Sequence, residues 1–283
     1  MPPPVRYAQS GDVSIAYQVV GQGPPDLIFC IGSYSHLDVL WENAHWARTF
    51  ERLGEISRFM LFDKRGTGLS DRTERIYTLE ERIDDIRAVL DAAESRHAYL
   101  MGFSEGGAMA ALFAATYPER VAGVILYGAP VRHAWAPDWP HGTLEEDFEQ
   151  TWRAARERNY VEDLTTPGWQ RWLGPGLRDD QAFLEFWGRL QRAKGSPAAR
   201  YAQARMNMLI DVRGILPSIQ APTLVMVRED DPVCSVDEAT WTTSHIPDAR
   251  LVVLPGQGHL PFDVFDEWDA AVEEFITGAP RVA

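Results

Sequence analysis

Cysteine is nearly missing. Cys30 and Cys234 are the only two in 283 residues, too few for a disulfide framework and too far apart for a paired-thiol or metal-ligand motif. A reducing cytoplasm is the expected setting. No apolar run approaches the roughly 18 residues that a membrane-spanning helix requires. The start, MPPPVRYAQSGD, has neither the basic segment nor the apolar run of a secretory signal. Positive charge is also scarce: 27 Lys and Arg stand against 41 Asp and Glu, a formal net charge of −14. That field repels nucleic acid and anionic membrane surfaces while favouring solubility. There is no Walker loop, no early GxGxxG unit and no Cys/His cluster, so no nucleotide, organic cofactor or metal is expected.

What is present is an ordinary globular composition, 45% hydrophobic and 24% charged. It suits either two domains or one large core with an insertion. Two strands of a hairpin are expected at 5–8 and 13–20, and buried strands at 27–32, 58–62, 97–101 and 121–127. Between them, Leu79, Ile83, Ile86 and Leu90 recur at steps of four, three and four, one face of a helix over 78–93. Thr78 with Glu81 supplies its capping box. A second helix is expected over 104–117, stopped by Pro118. Strands at 221–227 and 251–254 and a helix over 266–276, with Asp266 available as its cap, resume the pattern. Strands alternating with helices imply a mainly parallel sheet covered on both faces, an α/β architecture. The alternation fails over 133–215, a stretch that holds six of the ten tryptophans. It reads as a helical cap inserted into a core formed by 1–132 and 216–283, and about one or two of those tryptophans are expected to face a ligand.

Met101-Gly102-Phe103-Ser104-Glu105-Gly106-Gly107 carries the chemistry. It follows a buried strand and leads into an Ala-rich helix, which places Ser104 on a sharp strand-to-helix turn with its hydroxyl displayed. In isolation a GxSxG string is weak and also describes an N-cap serine in a glycine turn. A hydroxyl needs a base, and of the seven histidines only His259 lies in a late loop, between a strand and the terminal helix. The base in turn needs a carboxylate to fix its tautomer. Glu229, Asp230 and Asp231 follow a strand; Asp231 is preferred, and the other two remain competitors. The backbone N–H groups of Ser33 and Glu105 are the expected donors to an oxyanion. Their side chains are not needed for that role, so alanine at either position should leave the donors largely in place.

With these residues in view, the chain resembles the α/β-hydrolase superfamily across nearly its full length. The resemblance implies Ser104 as nucleophile, His259 as base and Asp231 as acid. The segment Asp63-Lys64-Arg65-Gly66-Thr67-Gly68-Leu69-Ser70 resembles that family's D-x-R-G-x-G-x-S turn, with Asp63 and Arg65 holding loops beneath the site. Residues 33–42 together with Gly-Phe-Ser-Glu-Gly-Gly resemble the hydrolase domains fused to some bacterial adenylate cyclases and their free-standing esterase relatives. One departure is Arg228, where the family often has Gly three residues before the acid.

The implied activity is serine-dependent hydrolysis of small, mainly hydrophobic carboxylic esters through an acyl-enzyme. Tyr34, Leu37, Trp41 and Phe103 are candidates to line the pocket. A serine nucleophile disfavours the dehalogenases and epoxide hydrolases of similar shape, which use aspartate. A cofactor-independent C–C hydrolase or perhydrolase, and an inactive small-molecule receptor, are the alternatives. Homodimerisation is compatible with all of these.

Overall fold

The computed structural model describes residues 2–72, 75–160, 164 and 166–279. Its eight strands are β1 (Arg6–Ser10), β2 (Val13–Val20), β3 (Asp26–Cys30), β4 (Arg58–Phe62), β5 (Ala98–Phe103), β6 (Val121–Tyr127), β7 (Thr223–Asp230) and β8 (Ala249–Gln257). They form one sheet in the order β1-β2-β4-β3-β5-β6-β7-β8. The β1–β2 and β2–β4 pairs are antiparallel, and every pair from β4 onward is parallel. The helices are α1 (Leu37–Leu40), α2 (Ala44–Ile56), α3 (Leu79–Ala92), α4 (Gly106–Thr116), α5 (Glu145–Glu157), α6 (Pro167–Leu173), α7 (Pro175–Arg178), α8 (Gln181–Ala193), α9 (Pro197–Met208), α10 (Val236–His245) and α11 (Phe265–Thr277).

Period-two alternation assigns the two faces of this sheet. In β3, Leu27 and Phe29 enter one core cluster while Ile28 and Cys30 enter the other. In β4, Phe59 and Leu61 separate in the same way from Met60 and Phe62. Buried residues of α3, α4 and α10 share the cluster of Ile28, and those of α2, α8 and α11 share the cluster of Leu27. Each such side chain contributes about 1.5–3 kcal/mol when fully buried, so strands covered on both sides need no polar alternation. That is why they read as continuous apolar runs.

Local chemistry sets the helix ends. Thr78 Oγ1 accepts from the Glu81 amide at 3.2 Å and Glu81 Oε2 accepts from the Thr78 amide at 2.9 Å, closing the expected capping box at α3. The terminal helix corrects one expectation: it starts at Phe265 behind Val264, which has no side-chain cap. Asp266 instead lies in the first turn and pairs with Arg48 at 2.8 Å, where a negative charge still favours the helix dipole.

Between β6 and β7 the described residues hold five helices and no named strand. They do not build a separate core: Phe183, Trp187 and Leu190 of α8 belong to the same apolar cluster as Phe103 and Phe262. Trp139 joins the cluster on the opposite face. Among the described residues no helix is long and apolar enough to cross a membrane.

Candidate active site

β5 ends at Phe103 and α4 begins at Gly106, so the chain reverses direction within Ser104 and Glu105. Ser104 adopts φ 55°, a left-handed conformation that costs a non-glycine residue about 1–2 kcal/mol. Two bonds hold it there: the Ser104 amide donates to the Tyr127 carbonyl and the Gly107 amide donates to the Ser104 carbonyl, both at 3.0 Å. The flanking glycines are steric necessities. A methyl group on Gly102 would lie 2.4 Å from Gly107 Cα, and one on Gly106 would lie 1.9 Å from the Cys30 carbonyl oxygen.

His259 is fully buried and its Nδ1 lies 2.9 Å from both carboxylate oxygens of Asp231. Asp231 Oδ1 also accepts from the amides of Val233 (2.8 Å) and Cys234 (3.3 Å). A carboxylate that already accepts assigns the proton to Nδ1 and leaves Nε2 as the acceptor. Nε2 is buried and has no hydrogen-bond partner among the described residues. Tyr127, which takes the Ser104 amide, is followed by Gly128 at φ 52°, where a methyl group would come within 2.8 Å of His259 Cε1 and 2.9 Å of Asp231 Oδ2. Only glycine fits both that conformation and that approach. One short stretch of backbone therefore underlies the serine, the imidazole and the carboxylate. No hydrogen bond joins Ser104 Oγ to Nε2, a looseness common before substrate binds.

Of the three candidate acids, Asp231 is the one brought against His259. Glu229 and Asp230 are exposed, and Glu229 accepts from the Gly256 amide at 3.1 Å. Arg228, the departure from the family's glycine, is a buried clamp. Its guanidinium donates to the carbonyls of Pro255 and Leu260, both at 2.9 Å, and to the two Asp263 oxygens at 2.7 and 3.0 Å. It thereby ties β7, the strand ahead of Asp231, to both sides of the His259 loop. Sequence reading missed this role, although an arginine at the end of an apolar strand was the available signal.

The loop after β3 lies against Ser104: a methyl on Gly32 would sit 2.9 Å from Ser104 Cβ. No acceptor among the described residues takes the amide N–H of Ser33 or of Glu105. The side chains depart from expectation. Ser33 Oγ donates to Glu105 Oε2 at 2.7 Å, Lys64 Nζ pairs with Glu105 Oε1 and donates to the Gly32 carbonyl at 2.8 Å, and Arg82 stands 3.8 Å from the same carboxylate. Glu105, Lys64 and Arg82 are all essentially unexposed. Burial pushes the Glu105 carboxyl up, but Lys64 and Arg82 outweigh it and hold its pKa below the ordinary value. Alanine at Glu105 would therefore strand two buried cations. We expect Glu105→Ala to cost about 3–5 kcal/mol in urea unfolding, with Ser33→Ala costing about 1 kcal/mol; a loss below about 1 kcal/mol for Glu105→Ala would show the pair to be dispensable.

Asp63 and Arg65 hold neighbouring loops. Asp63 accepts from Ser35 Oγ and from the amides of Leu37 (3.1 Å) and Leu69 (2.7 Å), while Arg65 is bidentate on Asp85 of α3.

Ser33, Tyr34 and Ser104 line a cavity of about 690 Å³, bordered also by residues of α5, α6, α8 and α9. Three of the six tryptophans, Trp152, Trp169 and Trp172, line it, more than the one or two expected. The wall is also less apolar than expected, because Arg158, Gln191, Lys194, Arg200, Gln203 and Asn207 share it. Of the four pocket candidates only Tyr34 lies on this wall. Leu37 is core, 1% exposed. Trp41 packs edge-on against Phe50 and donates its indole N–H to Gln18 at 2.9 Å. Phe103 stacks on the His259 ring at 4.7 Å and on Tyr127 at 5.4 Å, bracing the imidazole rather than lining the cavity. Trp172 of α6 meets the same ring at 5.4 Å, and its carbonyl accepts the His259 amide at 2.9 Å. Helix α6 thus touches the imidazole directly, a link that no local pattern announces.

The fold and this juxtaposition define an α/β-hydrolase. Residues 41–264 match the family described as serine aminopeptidase, S33, and the chain belongs to that family. It is 28% identical over 259 residues, 90% of this chain and 96% of the relative, to a pimeloyl acyl-carrier-protein methyl ester esterase of Nitrosomonas europaea. It is 28% identical over 219 residues, 75% of this chain and 76% of the relative, to 3-oxoadipate enol-lactonase 1 of Acinetobacter baylyi. In fold it is similar to a bromoperoxidase from Bacillus anthracis, with a TM-score of 0.82 at 22% identity, covering 97% of this chain and 100% of that one. An esterase from Exiguobacterium antarcticum gives a TM-score of 0.82 at 20% identity, covering 98% of this chain and 100% of that one. The chain is an enzyme of the hydrolase class.

Proposed function

We propose that this enzyme hydrolyses small-molecule carboxylic esters in the cytoplasm through an acyl-enzyme on Ser104. The observation that carries the reading is the pairing of a strained serine elbow with a buried imidazole whose Nδ1 is engaged by Asp231 and whose Nε2 is left as an acceptor. His259 Nε2 takes the Ser104 proton as Oγ attacks the ester carbonyl. The amides of Ser33 and Glu105 hold the oxyanion, and Asp231 stabilises the imidazolium. The imidazolium then protonates the departing alkoxide, and the neutral ring activates water to release the acid. Two relatives named as a methyl ester esterase and an enol-lactonase support ester chemistry. In this reading 1–132 and 216–283 perform the chemistry, and the helical insertion 133–215 shapes the pocket.

The test is a burst experiment. Mixing enzyme with a short p-nitrophenyl ester is expected to release about one equivalent of p-nitrophenolate before steady state, and mass spectrometry to find the acyl group on the Ser104 peptide. An acyl adduct elsewhere would overturn the site. A higher kcat/KM for C–C cleavage or perhydrolysis than for any ester would overturn the reaction.

A further inference from the structure

Lys64, between the loop-holding Asp63 and Arg65, is 1% exposed, and an ammonium taken out of water is costly unless its partners compensate. Its Nζ donates to the Gly32 carbonyl at 2.8 Å and pairs with Glu105 Oε1. The sheet order sets β4, β3 and β5 side by side, and Lys64, Gly32 and Glu105 each lie two residues beyond the end of one of these strands. The lysine side chain therefore reaches across the end of β3 and binds both loops that flank Ser104.

Both partners belong to the residues that carry the oxyanion donors. The Gly32 C=O and the Ser33 N–H are the two ends of one peptide unit, which is trans and planar, so they point in opposite directions. A donor fixed on the carbonyl sets that plane and with it the direction of the Ser33 N–H. The bond is also charge-assisted, and a carbonyl held by a cation polarises its amide and makes the N–H a stronger donor. Glu105 carries the second N–H, and its carboxylate is held by Lys64 at Oε1 and by the Ser33 hydroxyl at Oε2, 2.7 Å away. A methyl group on Gly32 would lie 2.9 Å from Ser104 Cβ and 3.4 Å from Glu105 Oε2, so this peptide packs directly on the serine elbow. One ammonium thus fixes the aim of one donor and the span between the two residues that bear them.

We propose that Lys64 is a positioning residue for the oxyanion site: its bonds to the Gly32 carbonyl and the Glu105 carboxylate hold the Ser33 and Glu105 N–H groups in the arrangement that the tetrahedral intermediate requires. This deepens the ester-hydrolysis reading and rests on it. Lys64 is not on the cavity wall, so it acts on the reacting oxygen only through the two amides. The neutral carbonyl of a bound ester is a weak acceptor, whereas charge develops on that oxygen as Ser104 Oγ adds, so well-aimed donors matter most in the transition state. Loss of Lys64 therefore falls on acylation and not on ester binding. Arg82 supplies the contrast. It stands 3.8 Å from the same carboxylate, and its Nη1 and Nη2 make no hydrogen bond among the described residues, to Gly32 or to anything else.

The experiment follows pre-steady-state acylation by p-nitrophenyl acetate, which separates the dissociation constant of the ester from the acylation rate, alongside inhibition by a trifluoromethyl ketone. Ser104 Oγ adds to the ketone carbon, its proton passes to His259 and the adduct carries an oxyanion; the corresponding trifluoromethyl alcohol binds without forming one. In Lys64→Met the acylation rate is expected to fall about 10-fold to 100-fold, within the loss known for one oxyanion donor, while the ester's dissociation constant changes by less than about threefold. Affinity for the ketone is expected to fall about 10-fold or more, and affinity for the alcohol less than about threefold. Arg82→Met removes the other cation beside Glu105 and keeps the bond to Gly32, so its acylation rate and ketone affinity are expected to stay within about threefold of wild type. If Lys64→Met fails to fold, Lys64→Met combined with Glu105→Gln removes both charges of the pair, which buried pairs tolerate better than the loss of one partner, and the same split between rate and binding is expected. A folded Lys64 variant that acylates within about threefold of wild type would overturn the proposal. Equal losses in Lys64→Met and Arg82→Met would overturn it too, by assigning the effect to charge balance around Glu105, as would a loss of ester and alcohol binding as large as the loss of rate. Wild-type protein that gives neither a burst nor a ketone adduct would instead overturn the esterase reading beneath.

Discussion

Ser104→Ala is expected to lower kcat by about a thousandfold to a millionfold while leaving the fold and its melting temperature nearly unchanged. The substitution removes one oxygen from a residue whose position is fixed by backbone, not by its hydroxyl. The bonds from the Ser104 amide to Tyr127 and from the Gly107 amide to the Ser104 carbonyl survive it. Alanine keeps the same Cβ, so the left-handed turn at φ 55° costs no more than before. What disappears is the oxygen to which the proposed mechanism assigns the acyl bond. Steady-state rates alongside circular dichroism separate chemistry from unfolding, and a folded variant retaining a tenth of the wild-type rate would remove Ser104 from the reaction. Residual catalysis over water is expected, because the two amides and the cavity still bind the ester.

Much of this site is legible in the sequence, and the reason is locality. The elbow is contiguous: a strand, Gly102, Ser104, Gly106 and a helix in one run, with steric demands that act between near neighbours. The parallel strands are readable because burial on both faces makes them continuous apolar runs. The helix at α3 declares itself through its capping box and the spacing of Leu79, Ile83, Ile86 and Leu90. Two helices were overlooked although their signals were present. Asn43 caps α2 ahead of Trp46, Phe50 and Leu53, and Ser235 with Glu238 opens α10. α2 ends at Ile56 just ahead of β4 and α10 starts at Val236 soon after β7, so attention to the alternation of long segments passes over them.

The remainder is long-range and could not be read locally. Glu105 meets Lys64, 41 positions away, and Asn207 meets Ser33 across 174. A glutamate after the serine looks like a solvated N-cap until a lysine and an arginine are known to be buried beside it. Leu37 and Trp41 had the right chemistry for a pocket and were near the right loop, but Leu37 is buried in the core and Trp41 packs on Phe50 and Gln18. Proximity along the chain to Ser33 was a poor guide to which side of the loop faces the cavity. The polar wall followed the same rule: Gln191 and Asn207 sit on helices within the stretch read only as a helical insertion, and the orientation of their polar faces depends on the packing of α8 and α9.

Asp231→Asn is expected to lower kcat/KM by about ten-thousandfold, against a change of less than about threefold for Asp230→Asn. The difference follows from hydrogen-bond direction. Asp231 Oδ1 accepts from the Val233 and Cys234 amides, so an asparagine there would keep its carbonyl oxygen on those donors and present its NH₂ group to His259 Nδ1. The ring would then have to offer a lone pair at Nδ1 and carry its proton on Nε2, the atom that accepts from Ser104 in the proposed mechanism. The geometry would persist and the tautomer would be wrong. Asp230 is exposed and makes no contact with the imidazole, so its amide changes only surface charge. Pre-steady-state acylation on the two folded variants measures the step directly. Equal small effects would remove Asp231 from its place behind the base, and a larger loss at Asp230 would move the acid by one residue.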